Sequence, residues 1–144
     1  MTHSSPHDRR AADSLLDALD TARLAERMQT QFYRALAASA EEAGDPGTAE
    51  RLNGLHADEQ HHLSRLTARL LELGRTASGP EPVPAGVELE GWEAIARRRE
   101  RAEVERYERL LLDDLDPRTR EMIEQFLEAE RRHEAELGGK WMSA

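Results

Sequence analysis

The chain has 144 residues, enough for one domain with a substantial core. Its formal net charge of -9 argues against nonspecific nucleic-acid binding, which needs a basic surface, and 34% charged with only 4% aromatic residues favours helix over sheet. The lack of cysteine excludes disulfides, thiol catalysis, cysteine-ligated zinc and iron–sulfur clusters.

No apolar run approaches the length of a membrane span, and Met1 to Arg10 is polar without an apolar signal core. The expectation is a cytoplasmic protein with no nucleic-acid or membrane partner. Residues 1–12 read as a disordered tail containing His3 and His7. A first helix is predicted from Asp13 to Ala43, with an inward seam of Leu15, Leu19, Ala22, Glu26, Gln29, Tyr33, Leu36 and Ala40. Gly44 can end it in a left-handed cap. Asp45 as N-cap and Pro46 at the first helical position open a second helix, which Gly74 closes after Leu73. Its seam is Leu52, Leu55, Glu59, His62, Leu66 and Leu73.

Residues 75–89 form a Pro/Gly-rich crossover linker. Fourteen residues of it, at about 3.3 Å each, reach roughly 46 Å, more than the roughly 37 Å of a 25-residue helix. The third helix therefore need not turn straight back beside the second. It is predicted from Glu90 to Asp114, with a seam of Leu89, Glu93, Ala96, Glu100, Glu103, Tyr107 and Leu110. Asp116-Pro117 opens a fourth helix to Leu137, with a seam of Ile123, Phe126, Glu130, His133 and Leu137. Gly138-Gly139 ends it, and residues 138–144 form a short tail. Residues 13–137 thus make an all-α four-helix bundle of two hairpins joined by a long crossover. Trp92 and Trp141 are expected at helix ends or against another subunit, and His56 and His61 on the surface.

The two halves repeat. Glu59 follows Pro46 by thirteen residues, as Glu130 follows Pro117; Tyr33 follows Glu26 by seven, as Tyr107 follows Glu100. Each second arm carries a Glu-x-x-His, Glu59–His62 and Glu130–His133, and residues three apart share a helix face. A carboxylate and an imidazole thus take seam positions where Leu is expected, twice. A charge buried without a partner costs several kcal/mol against a domain stability of about 5–15 kcal/mol, so something must compensate. A metal ion suits both residue types. One Glu from each of two helices, with a Glu-x-x-His from each of the other two, is the donor set of di-iron and di-manganese carboxylate bundles. Glu59 and Glu130 would bridge, His62 and His133 would each bind one ion, and Glu26 and Glu100 would be terminal ligands. Glu103, one turn beyond Glu100, is a further candidate ligand. Gln29 takes the corresponding place in the first helix, so the two ion positions need not be equivalent. Tyr33 and Tyr107 are expected to bond the carboxylates from behind.

Ala25-Glu26 with Phe32-Tyr33, Glu59-x-x-His62, and Glu100-x-x-Glu103 with Tyr107 resemble the metal helices of the ferritin-like superfamily, and within it the rubrerythrin branch. The resemblance covers roughly residues 13–137. It implies two iron ions, with manganese or zinc as other dications the site could take. It implies oxidation of ferrous iron by hydrogen peroxide or dioxygen through Glu26, Glu59, His62, Glu100, Glu130 and His133. It also implies a homodimer or higher homo-oligomer. A typical rubrerythrin adds a four-cysteine electron relay, so a peroxidase cycle here would need a separate electron donor. His133 stands where rubrerythrins usually place another Glu, which is similar to bacterioferritin-type ferroxidase centres. Iron storage or handling in a larger assembly and a metal-free helical interaction module are the alternative functions.

Overall fold

Three of the four helices begin where a side chain can take up backbone N–H groups that the first turn leaves free. The computed structural model describes residues 5–77 and 87–139. Within them lie α1 (Pro6–Glu42), α2 (Pro46–Glu72), α3 (Trp92–Leu110) and α4 (Pro117–Leu137), and no strand. Asp45 accepts from the Thr48 N–H at 3.2 Å, and Asp116 from the Thr119 N–H at 3.0 Å and the Thr119 hydroxyl at 2.6 Å. Both Asp-Pro turns are therefore true N-caps. At the other ends, Gly44 (φ 71°) and Gly74 (φ 92°) sit in the left-handed conformation that closes α1 and α2.

Two boundaries differ from the sequence reading. α1 starts at Pro6 rather than Asp13, because Ser5 and Asp8 form a reciprocal capping box over a first-turn proline. Residues 6–14 are solvent-exposed, so no apolar stripe announced that extension. Residues 1–4 of the expected tail lie outside the described residues. α3 spans Trp92–Leu110 rather than Glu90–Asp114. Gly91 in the left-handed conformation precedes it. After it, Arg120 donates to the Leu111 carbonyl at 3.2 Å and the Asp113 carbonyl at 2.9 Å, which satisfies the turn that replaces a further helical turn. Asp116, preceding a proline, is extended at φ -64°, ψ 156°. Most of the expected crossover (78–86), His3 and Trp141 also fall outside the described residues.

α1 packs along α2 and α3 along α4, and the hairpins meet through α1 against α3 and α2 against α4. Arg51, near the start of α2, donates to Glu93 at 3.2 Å and lies over the Trp92 ring at the start of α3. Arg69, near the end of α2, bonds Asp116 and Thr119 at the start of α4. So α2 runs parallel to α3 and antiparallel to α4. The start of α3 therefore lies at the opposite end of the bundle from the end of α2, a separation that the long linker allowed.

Two apolar clusters fill the interior. Leu19, Leu66, Leu70, Tyr107, Ile123 and Phe126 belong to one; Tyr33, Leu36, Leu52, Leu55, Trp92 and Leu137 belong to the other. Burying such side chains contributes about 1.5–3 kcal/mol each. Leu15, Leu73, Leu89 and Glu93, placed in the seams from sequence, are only half-buried. His61 is exposed and His56 half-buried. Among the described residues, no helix is long and apolar enough to cross a membrane.

Replacing Asp116 with Ala is expected to lower stability at neutral pH by about 1 kcal/mol in denaturant titration. Slight burial pushes the Asp116 carboxyl up, but Thr119 and Arg69 prevail and hold it at about 2, below its ordinary 3.8. A depressed carboxylate stabilises fully above its unfolded value and loses that contribution as pH falls toward its folded one. The gap between wild type and Asp116→Ala should therefore narrow between pH 4 and 2.

Candidate metal centre

All four helices send carboxylates into the layer between the two apolar clusters. α1 supplies Glu26, α2 Glu59 and His62, α3 Glu100 and Glu103, and α4 Glu130 and His133, all buried. Glu26, Glu59, Glu100 and Glu130 have no solvent-accessible surface. The periodicity that puts Leu in a bundle seam carries these residues inward, and the apolar clusters beyond them exclude water.

Donor atoms from Glu26, Glu59, His62 and Glu130 lie within 4.8 Å of one another, as do those of Glu59, Glu100, Glu130 and His133. Glu59 and Glu130 belong to both groups, so their carboxylates stand between two candidate ion positions. His62 turns Nδ1 inward, 3.3 Å from Glu130 Oε1 and 3.5 Å from Glu26 Oε1. His133 also turns Nδ1 inward, 3.1 Å from Glu59 Oε1 and 3.6 Å from Glu100 Oε2.

The tyrosines cross between the hairpins. Tyr33 on α1 donates to Glu100 on α3 at 2.6 Å, and Tyr107 on α3 donates to Glu26 on α1 at 2.5 Å. The equal seven-residue spacings make this exchange nearly two-fold symmetric. Burial, then the neighbouring carboxylates, raises both phenols well above 10, so they remain donors.

Symmetry fails one turn further along. Gln29 accepts from Arg99 Nε at 2.5 Å and donates to Glu100 at 3.4 Å. Its counterpart Glu103 accepts from Arg106 at 2.6 Å and falls outside both donor groups. Sequence reasoning missed Asp58, which lies 2.8 Å from His133 Nε2. Asp58 precedes Glu59 on the exposed flank of α2, so periodicity marks it as surface; only packing against α4 brings it to an imidazole.

Several inward atoms have no hydrogen-bond partner: one oxygen each of Glu26, Glu59, Glu100 and Glu103, both oxygens of Glu130, and His62 Nδ1. Buried polar atoms are normally paired, so this cluster is short of cationic or donor groups. The protonation equilibria respond to the same shortage. Burial, then Glu26, Glu130 and Glu100, raises Glu59 well above 4.5; burial, Glu26 and Glu100 push Glu130 up to about 7. Burial and Glu26 also raise Glu103. Burial opposes charge on the imidazoles, but Glu130 and Glu26 raise His62 to about 9, and Asp58, Glu100 and Glu130 raise His133 to about 12. Burial alone would raise Glu100, yet His133, Glu130 and Tyr33 hold it below 4.5. The residues fit a pair of dications: the four carboxylates of the two groups carry four negative charges when ionised, and two dications with neutral imidazoles would leave none.

A family model described as Ferritin-like domain matches residues 2–80, more than half of the chain. No curated protein and no solved structure matched significantly.

If surplus negative charge strains the metal-free layer, replacing Glu130 with the similarly sized, apolar Met should not destabilise the metal-free protein. Its melting temperature should be unchanged or higher. Ferrous or manganous ions should raise the melting temperature of wild type but not of Glu130→Met. A metal-free variant that melts far below wild type would contradict the strain.

Proposed function

The chain belongs to the ferritin-like domain family, and we propose that it is a non-haem di-iron protein that oxidises ferrous iron with hydrogen peroxide or dioxygen. The observation that carries this reading is the pair of donor groups sharing Glu59 and Glu130, with inward atoms that lack any other partner. Glu59 and Glu130 would be held in common, Glu26 and His62 would complete one ion position, and Glu100 and His133 the other. Manganese or zinc suits the same donors. Iron bound there would supply the electrons, one from each ferrous ion, while peroxide takes two electrons and two protons to become two waters.

The chain's own residues set the conditions for that transfer. The negative charge of four ionised carboxylates would favour the more highly charged metal state. The two apolar clusters keep bulk water from the reacting layer. Tyr33 and Tyr107 keep their protons and orient Glu100 and Glu26 through the short bonds they donate. Glu103, with one oxygen unpaired and the other on Arg106, is a spare carboxylate beside the Glu26 position. A catalytic cycle on peroxide would draw electrons from a separate donor, since the chain has no cysteine for an internal relay. The working form in this proposal is a homo-oligomer.

Anaerobic titration of the metal-free protein should bind about two ferrous ions per chain. Rapid mixing with peroxide should then raise near-ultraviolet absorbance and consume about one peroxide per two irons. His62→Ala and Glu59→Ala should lose most of that oxidation. Failure to bind iron, or binding with no consumption of peroxide or dioxygen, rules the proposal out. Retention of many irons per chain would instead favour storage.

A further inference from the structure

The two imidazoles of the centre are not equivalently supported. His133 presents Nδ1 to Glu59, Glu130 and Glu100, while its Nε2 lies 2.8 Å from Asp58 Oδ2. A carboxylate at Nε2 holds a proton there, so that when a cation displaces the proton on Nδ1 it is the Nδ1 lone pair that faces inward. It also makes the ring a stronger donor, because negative charge behind it offsets the charge drawn toward a cation. His62 presents Nδ1 in the same way. In the repeat, however, the residue that precedes Glu130, as Asp58 precedes Glu59, is Ala129, which has no carboxylate.

The terminal carboxylates differ in the same sense. Glu100 receives Tyr33 at 2.6 Å and the Gln29 amide at 3.4 Å, and Gln29 is itself held by Arg99. Glu26 receives Tyr107, but the residue matching Gln29 is Glu103, which donates nothing when ionised and is engaged with Arg106. The Glu100–His133 side therefore has more of its geometry fixed before any ion arrives. Less ordering remains to be done on binding there.

We propose that Asp58 is a positioning residue that makes the Glu100–His133 position the tighter, retained ion site and leaves the Glu26–His62 position the weaker, exchangeable one. The proposal rests on the di-metal reading of the centre. Asp58 does not touch the ion; it acts through His133. With its side chain 49% exposed, it lines a surface cleft of about 430 Å³ with Arg51, Arg132 and Glu136. Its replacement therefore opens no cavity in the core.

Calorimetric titration of the metal-free protein with cobalt(II), followed in parallel by visible d–d absorption, tests this. Wild type should show two unequal steps per chain. Asp58→Ala should weaken the tighter step by about 10–100-fold and leave the other within a few-fold. Asp58→Asn, which keeps an acceptor at Nε2 but not the charge, should fall between them. A role confined to fold stability would lower both steps together and would not grade from Asn to Ala. Equal steps in wild type, a loss shared by both, or no change in Asp58→Ala overturns the assignment while the di-metal reading stands. No uptake of cobalt, manganese or iron by wild type overturns both.

Discussion

Carboxylates crowded into a layer that water does not reach dominate the energetics of this bundle. Glu26, Glu59, Glu100 and Glu130 are fully buried, and His62, His133, two tyrosine hydroxyls and the Gln29 amide face them. In water such groups would be solvated at no cost to folding. Here each charge is penalised by several kcal/mol unless compensated, in a domain whose net stability is of the order of 5–15 kcal/mol. The apolar clusters on either side are what make the arrangement possible. They contribute the burial that holds the layer closed, and they keep out the water that would relax it. A protein selected for stability alone would place leucine at these seam positions; the groups found there instead could hold cations.

The topology follows from the same need. With α2 parallel to α3 and antiparallel to α4, the two helices that carry Glu-x-x-His become neighbours. Glu59 and Glu130 can then face each other across the centre. Hairpins stacked by short loops alone would set α3 beside α2 and separate those two helices. The long Pro/Gly-rich connection is thus tied to the chemistry: it allows the order of helices around the core that brings the shared carboxylates together.

Near-symmetry and its breakdown are both informative. Crossed bonds from Tyr33 to Glu100 and from Tyr107 to Glu26 stitch one hairpin to the other at equivalent places. Each phenol holds the carboxylate that its own helix does not carry, so neither hairpin can complete a half-site alone. Gln29 against Glu103, and Asp58 against Ala129, depart from the repeat. Those departures change charge and hydrogen bonding around two otherwise matched positions, which is the simplest physical route to sites of unequal strength.

The sequence alone determined what local rules control. The Asp-Pro caps, the glycine stops and the inward phase of Glu26, Glu59, His62, Glu100, Glu130 and His133 follow from spacing, because a helix turns by a fixed angle per residue. It marked poorly those features that carry no apolar period: the exposed first turns of α1, whose start rests on the Ser5–Asp8 box, and the end of α3, which Arg120 closes from α4. Which carboxylate of α3 joins the donor groups was open, since Glu100 and Glu103 share a face; a local pair one turn apart engages Glu103 with Arg106, while tertiary packing sets Glu100 beside His133. Asp58 could not be found from pattern at all. Its importance arises only where α2 and α4 meet, because a contact between residues 75 positions apart depends on how helices pack and not on the period of either one.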